Sequence, residues 1–174
     1  PLPLYPCLIF VYIMDKLFID CRIDIKRVRL RMNYHNITKD DMLNGDGLRV
    51  VLWVAGCTHH CHNCQNPITW DVTGGLPFDE AAEKELFDDL RHPHISGITF
   101  SGGDPLHPFN RDEVFRLIKK VRTELPEKTI WLYTGFLWEE IKDIPDIADI
   151  DVVCEGKFVQ ELLDNKKHWV GSTN

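Results

Sequence analysis

The sequence predicts an α/β protein built on a mainly parallel sheet. Three observations carry that expectation. Short runs rich in β-branched and aromatic residues recur at Leu48–Val54, Gly97–Phe100, Thr129–Tyr133 and Ile150–Cys154. Segments with apolar residues at helical spacing stand between them. The first run is nearly continuous in apolar character rather than alternating, as in a strand buried on both faces of a parallel sheet. Strand, loop and helix therefore repeat, which gives parallel neighbours joined by right-handed crossovers.

Residues 1–31 differ in character from the rest of the chain. The chain opens on Pro1, Leu2 to Met14 is mostly apolar, and Lys16 to Arg31 is mixed and basic. This stretch carries +3 within a chain of formal charge −7, leaving −10 for residues 32–174. A signal peptide is disfavoured, because no basic stretch precedes the apolar run and no small-residue cleavage site follows it. A pair of extra strands is another local reading, since Ile19, Cys21, Ile23 and Ile25 alternate with polar residues. The preferred expectation is upstream sequence translated in frame, with Met32 as the natural start and residues 32–174 as the folded domain.

Asn44-Gly45-Asp46-Gly47 is a turn signal, and the strand Leu48–Val54 comes after it. Gly74-Gly75 interrupts the chain. A helix is expected after Pro77, with Asp79 as N-cap and Ala82, Leu86, Phe87 and Leu90 on its apolar face. Asp79, Glu80 and Glu83 suit its start, where the macrodipole favours negative charge, and read as a solvated face. The strand Gly97–Phe100 runs into Ser101-Gly102-Gly103-Asp104-Pro105. The two glycines permit a close backbone approach, and the loop's carboxylate and carbonyls suit an ammonium group better than a phosphate. Such a loop is often only a turn; its place at a strand end raises its interest. The next helix is expected from Asn110, with Glu113 completing a capping box. Val114, Leu117, Ile118, Val121 and Leu125 form its stripe, and Pro126 stops it. The strand Thr129–Tyr133 ends at Thr134-Gly135, and a short helix is expected over Leu137–Ile144. The strand Ile150–Cys154 leads to Glu155-Gly156-Lys157-Phe158, with Cys154 read as a small core residue.

Composition narrows the function. The chain is 44% apolar and 27% charged, ordinary for one globular domain, with no apolar run long enough to span a bilayer. Its acidic balance argues against nucleic acid as a partner, because phosphate binding needs clustered Lys and Arg. Three of the six cysteines fall within Cys57–Cys64, while Cys7, Cys21 and Cys154 are scattered. That pattern fits a reducing, cytoplasmic setting and a metal site better than a disulfide framework.

The cysteine loop, Gly56-Cys57-Thr58-His59-His60-Cys61-His62-Asn63-Cys64, lies at the carboxyl end of the first strand, where α/β proteins place ligand chemistry. Thiolates suit zinc, copper(I) or iron–sulfur clusters. A four-iron cluster ordinarily takes four cysteines, so three would leave one iron open to a substrate. The competing reading is a zinc knuckle completed by His59, His60 or His62, in a binding module without catalysis.

The combination of Cys-x3-Cys-x2-Cys after one strand and Gly-Gly-Asp-Pro after the next resembles the radical S-adenosylmethionine (SAM) enzymes. Within them the chain is most similar to the activating proteins of anaerobic (class III) ribonucleoside-triphosphate reductases. The resemblance rests on Met32-Asn33-Tyr34, Asn44-Gly45-x-Gly47-x-Arg49, the cysteine loop with Asn66 and Thr69-Trp70, Ser101 to Pro108 with Asn110, Ile130-Trp131-x-x-Thr134-Gly135, Gly156 to Gln160, and Trp169 with Gly171-Ser172-x-Asn174. It covers essentially all of residues 32–174.

The resemblance implies a partial (β/α) barrel. It implies that Cys57, Cys61 and Cys64 bind three irons of a [4Fe–4S] cluster, and that SAM chelates the fourth. Gly102, Gly103 and Asp104 would hold the SAM amino group. The backbone from Asn63 through Cys64 to Gln65 would lie against the adenosine, and Thr134 would add a contact. A flavodoxin-like or ferredoxin-like protein would supply one electron. SAM would then cleave to methionine and a 5′-deoxyadenosyl radical, which takes a hydrogen atom from a glycine of the reductase. No general acid or base is needed, so His59, His60, His62 and His107 are expected to be exposed loop residues without a catalytic role. An activase of another glycyl-radical enzyme, or a small radical-SAM synthase, is the neighbouring reading. The sequence departs from the family's pattern at Asp46, where Pro is common, at Gln65, where an aromatic residue is common, and at Val170, where Arg is common. Relatives are expected to run on beyond Asn174, which suggests a clipped C-terminus.

Overall fold

Among the described residues, six strands build one sheet in the order β3-β1-β2-β4-β5-β6. They are β1 (Asn33–Asp41), β2 (Arg49–Val54), β3 (Leu76–Pro77), β4 (Gly97–Gly102), β5 (Thr129–Tyr133) and β6 (Val152–Cys154). The helices are α1 (Glu80–Leu90), α2 (Arg111–Glu124) and the four-residue α3 (Trp138–Ile141). The computed structural model describes residues 32–174. The reading of residues 1–31 as upstream translation lies outside the described residues.

The expected parallel sheet is present in β2, β4, β5 and β6, which pair parallel in chain order. The pairing is in register along its length: Val50 lies beside Ile98, and Ile98 beside Ile130. These residues share one face with Leu52, Val54, Phe100 and Leu132. That face packs in a single core with Leu86, Phe87 and Leu90 of α1 and Val114, Leu117, Ile118 and Val121 of α2. Both helices therefore cover the same face. This is the consequence of strands added in one direction, each crossover of the same hand returning on the same side. The opposite face carries Arg49, Val51, Trp53, Thr99, Trp131 and Tyr133, since side chains alternate along each strand. Continuity in β2 does mean burial on both faces: five of its six residues are buried.

Two strands were not expected. β1 runs antiparallel between β2 and β3. Its sequence, NYHNITKDD, offers the core only a buried Ile37 and a half-buried Tyr34, so it lacks the alternation that marks a strand. Backbone pairing holds it instead, with the Trp53 indole N–H donating to Thr38 Oγ1 at 2.7 Å.

Local signals were mostly correct and instructively wrong at three places. Asp79 caps α1, its carboxylate accepting from the Ala81 and Ala82 N–H groups at 3.0 Å. Asn110 stands at the start of α2 without capping it by its side chain, and Glu113 turns to Arg116 rather than back to the cap. The helix expected over Leu137–Ile144 stops at Ile141. Ile144 precedes Pro145 and takes an extended conformation, φ −78° and ψ 117°, as the proline ring demands. A 3-10 turn, Pro145–Asp149, comes next. The last strand starts at Val152, not Ile150. The side chain of Asp151 accepts the Ile130 N–H at 2.7 Å, taking the place of a backbone rung.

Candidate functional site

The site forms where β2, β4 and β5 end. The chain leaves β2 through Ala55 and Gly56 into the cysteine loop, leaves β4 into the Gly-Gly-Asp-Pro loop, and leaves β5 at Thr134-Gly135. All three exits open on one cavity of about 510 Å³, within the roughly 300–1,000 Å³ typical of small-molecule sites. Cys57, Cys61, Cys64, Gln65, Gly102, Gly103, Asp104 and Thr134 all line it. Asn63 does not: it is exposed, with φ +56° in the left-handed region that Asn tolerates.

The cysteine loop and the Gly-Gly-Asp-Pro loop are seated on each other by backbone. Gly103 N–H donates to Val54 O at 2.7 Å and Asp104 N–H to Gly56 O at 2.8 Å. A Cβ on Gly103 would lie 2.5 Å from Gly56 O, so only glycine allows the approach. On its other side the cysteine loop is tied by Gly56 N–H to Thr69 O and Cys57 N–H to Trp70 O. Those contacts give Thr69-Trp70 their place in the motif.

The three loop thiols are free and half-buried. Burial pushes the Cys57 thiol up, and backbone N–H groups of His59 and His60 oppose that. Asn66 N–H points at Cys64 Sγ at 3.4 Å. N–H donors around sulfur stabilise thiolate and tune iron–sulfur centres, so the donor set fits a cluster. Among the described residues no three His, Cys, Asp or Glu side chains converge as the ligands of a single ion must. A cluster makes no such demand, because its irons occupy separate corners.

Asp104 holds the centre of the arrangement. It is 1% exposed. Its Oδ1 accepts from Leu106 N–H at 2.8 Å, and its Oδ2 from Gly135 N–H at 3.0 Å and from His59 Nε2 at 2.5 Å. The Thr134 hydroxyl lies 2.9 and 3.0 Å from the two oxygens. Thr134 thus faces Asp104. His59 is not the exposed loop histidine the sequence suggested: its side chain is 8% exposed and its ring packs edge-on against Phe136. His60 and His62 are exposed as expected, with the His60 ring against Trp70.

Sequence reasoning missed Asn110 and misplaced Cys154. The buried Asn110 Nδ2 donates to Ala55 O at 2.8 Å and Asp104 O at 2.9 Å, stitching the two loops together. Its helix-start position masked that role. Cys154 lies half-buried on the cavity wall rather than in the core, beside Tyr133, whose phenol burial pushes up. The C-terminal segment completes the wall. The Trp169 ring meets Trp131 at 5.9 Å, and Ser172 Oγ accepts the Val159 N–H.

Comparison with known proteins agrees with this arrangement. Residues 43–174 match a family described as a 4Fe-4S single cluster domain. The chain is 44% identical over 143 residues to the anaerobic ribonucleoside-triphosphate reductase-activating protein of Enterobacteria phage T4, covering 82% of this chain and 91% of that protein. The protein of the same description from Escherichia coli K12 is 43% identical, with 82% and 96% covered. That of Vibrio cholerae is 41% identical, with 82% and 95% covered.

Proposed function

We propose, from the premise that this chain belongs to the anaerobic ribonucleoside-triphosphate reductase-activating proteins, that it activates such a reductase by generating a glycyl radical on it. It is an enzyme of the radical-SAM activase type. The observation that carries the reading is the meeting of three loop thiols and a Gly-Gly-Asp-Pro loop in one cavity at the carboxyl ends of parallel strands.

Cys57, Cys61 and Cys64 are the proposed ligands of three irons of a [4Fe–4S] cluster. The backbone of Gly102 and Gly103 and the wall at Cys64-Gln65 are the proposed seat of SAM. Cluster and SAM, when bound, supply the one-electron cleavage chemistry. The chain's own residues hold and orient. The backbone bonds from Gly103 and Asp104 fix the distance between the two loops. Asn110 locks that distance from beneath. Trp169, Val170 and Gly171 wall the cavity from the C-terminal side. The carboxyl-end site and the unidirectional β2-β4-β5-β6 array, with its helices on one face, support a partial (β/α) barrel, a shape open enough to receive a loop of a large partner. A flavodoxin-like or ferredoxin-like protein is the proposed electron donor. The free cysteines suit a reducing compartment such as the cytoplasm, and no helix among the described residues is long and apolar enough to cross a membrane.

The test is anaerobic reconstitution of the full chain with iron and sulfide, reduction by dithionite, and EPR with and without SAM. A reduced-cluster signal that changes on adding SAM, formation of 5′-deoxyadenosine, and loss of both in Cys61→Ala are expected. A glycyl radical on the reductase completes the assignment. A folded chain that retains zinc and takes up no iron overturns it.

A further inference from the structure

We infer that His59 is a positioning residue for the cluster loop: its hydrogen bond to Asp104 latches that loop to the Gly-Gly-Asp-Pro loop, and Asp104 is the latch's internal anchor rather than a ligand of SAM. This inference rests on the proposed function for its consequence, though not for its geometry.

Residues 58–65 are otherwise loosely held. Among the described residues, the bond from His59 Nε2 to Asp104 Oδ2 is the only hydrogen bond from these eight to a segment beyond residue 70. Both side chains are almost wholly buried, 8% and 2% exposed. The protein makes room for the bond. A Cβ on Gly135 would lie 2.4–2.8 Å from three atoms of the His59 ring, so the glycine after Thr134 lets the imidazole pass. Phe136 then supports the ring edge-on at 4.7 Å. Three consecutive strand exits therefore meet at one carboxylate: His59 after β2, Asp104 after β4, and Thr134-Gly135 after β5.

The carboxylate has no capacity left. Leu106 N–H, Gly135 N–H, the Thr134 hydroxyl and His59 supply four donors to its two oxygens, which offer about four lone-pair sites. An incoming ammonium group would have to displace one of these buried bonds. The amino group of SAM is left to the backbone carbonyls of the loop, and the carboxylate shapes that backbone. The latch also reaches the cluster. His59 stands two residues from Cys57 and two from Cys61, in the loop whose Cys64 sulfur takes the Asn66 N–H at 3.4 Å. Releasing the imidazole frees the loop, and the sulfurs shift against that donor. Donors at ligand sulfurs set cluster potential, and partners that orient ligands commonly contribute about 10- to 100-fold in affinity or activity.

The experiment compares the full-length wild type with H59A and H59Q. Gln places an amide N–H near the position of Nε2, so it conserves the bond without the ring. Each is reconstituted anaerobically and assayed for iron and sulfide. The midpoint potential and the reduced EPR spectrum are recorded without SAM, and SAM is titrated by its effect on the spectrum. H59A is expected to hold its cluster, since all three cysteines remain. Its potential and EPR line shape shift, and SAM binds about 10- to 100-fold more weakly. H59Q recovers most of both. Unchanged potential and SAM affinity in H59A overturn the inference, as does failure of H59Q to recover either. Hydrogen exchange in the metal-free chains reads the latch without any cofactor. Amides of Cys64, Leu106 and Gly135, which are hydrogen-bonded in the loop and at the latch carboxylate, exchange at least about tenfold faster in H59A, with protection restored by H59Q; equal rates refute the latch. A wild-type chain that takes up no iron would instead defeat the proposed function and leave the exchange result to judge the latch alone.

Discussion

Asn110→Asp separates two readings of one residue. If Asn110 were the N-cap that its position suggests, Asp would serve equally well, because Asn and Asp cap with similar strength. A negative charge at the helix start would even be favourable. The structure gives the opposite expectation. Asn110 is fully buried, and its amide nitrogen donates to Ala55 O and Asp104 O. Two carbonyl partners fix the orientation of the amide, and Oδ1 faces no donor. Aspartate there sets a carboxylate oxygen against both carbonyls. Ala55 O loses this donor, while Asp104 O keeps the His107 N–H at 3.0 Å. An unsatisfied buried carbonyl costs about 1–3 kcal/mol, and an unpaired buried acid adds at least as much. The combined loss is about 3 kcal/mol or more, a large share of a total stability of about 5–15 kcal/mol. Urea unfolding of the full, metal-free chain under reducing conditions is the assay. With a slope of about 2 kcal/mol/M the midpoint falls by about 1–2 M. A variant as stable as the wild type, or more stable, refutes the bridging role and restores the cap.

The same geometry has other consequences. Arg49 is fully buried, and its N–H groups donate to Thr99 Oγ1, Asp46 O, Thr129 Oγ1, Ile98 O and Thr129 O. Arg49→Lys keeps the charge but cannot reach this fan of acceptors, so thermal unfolding should fall by about 10 °C; a fall under about 2 °C argues that the fan is idle. Gly103→Ala drives a methyl into the Gly56 backbone at 2.5 Å, costing about 1–3 kcal/mol, and iron per chain after reconstitution should drop; full iron uptake contradicts it. Burial raises the Glu83 carboxyl, but bonds from Arg116 and Lys120 outweigh it and hold the group below its ordinary 4.5. A depressed carboxyl stabilises the fold above the unfolded value, and that contribution disappears as pH falls through the folded one. Glu83→Gln should therefore cost about 0.5–1 kcal/mol near neutrality and converge on the wild type as pH falls through the depressed folded value; parallel pH profiles would exclude the linkage.

Much of this was legible in the residues because it is local or compositional. The continuous apolar run of β2, the stripes of α1 and α2 and the Asp79 cap each declare themselves within a few positions. The spacing of Cys57, Cys61 and Cys64 after one strand, and the glycines after the next, placed the candidate site at carboxyl ends. What stayed hidden depends on partners distant in sequence. β1 carries no pattern of its own and exists as a strand because β2 offers it a ladder. Asn110 looked like a cap because nothing nearby in the sequence shows Ala55, 55 residues away. His59 looked solvated among polar neighbours, while its partner lies 45 residues on.

The residues alone determine that this chain forms a mainly parallel α/β sheet, that three cysteines share one loop, and that a glycine-rich loop succeeds the next strand. These depend on side-chain periodicity and on chemistry confined to short stretches. Only the tertiary structure decides that Asp104 is saturated by four donors, that His59 is drawn inward to it, and that Thr134 faces it. The reason is that a carboxylate looks equally available in any sequence. Whether it meets a ligand or its own protein depends on which donors the sheet's register carries to within about 3 Å.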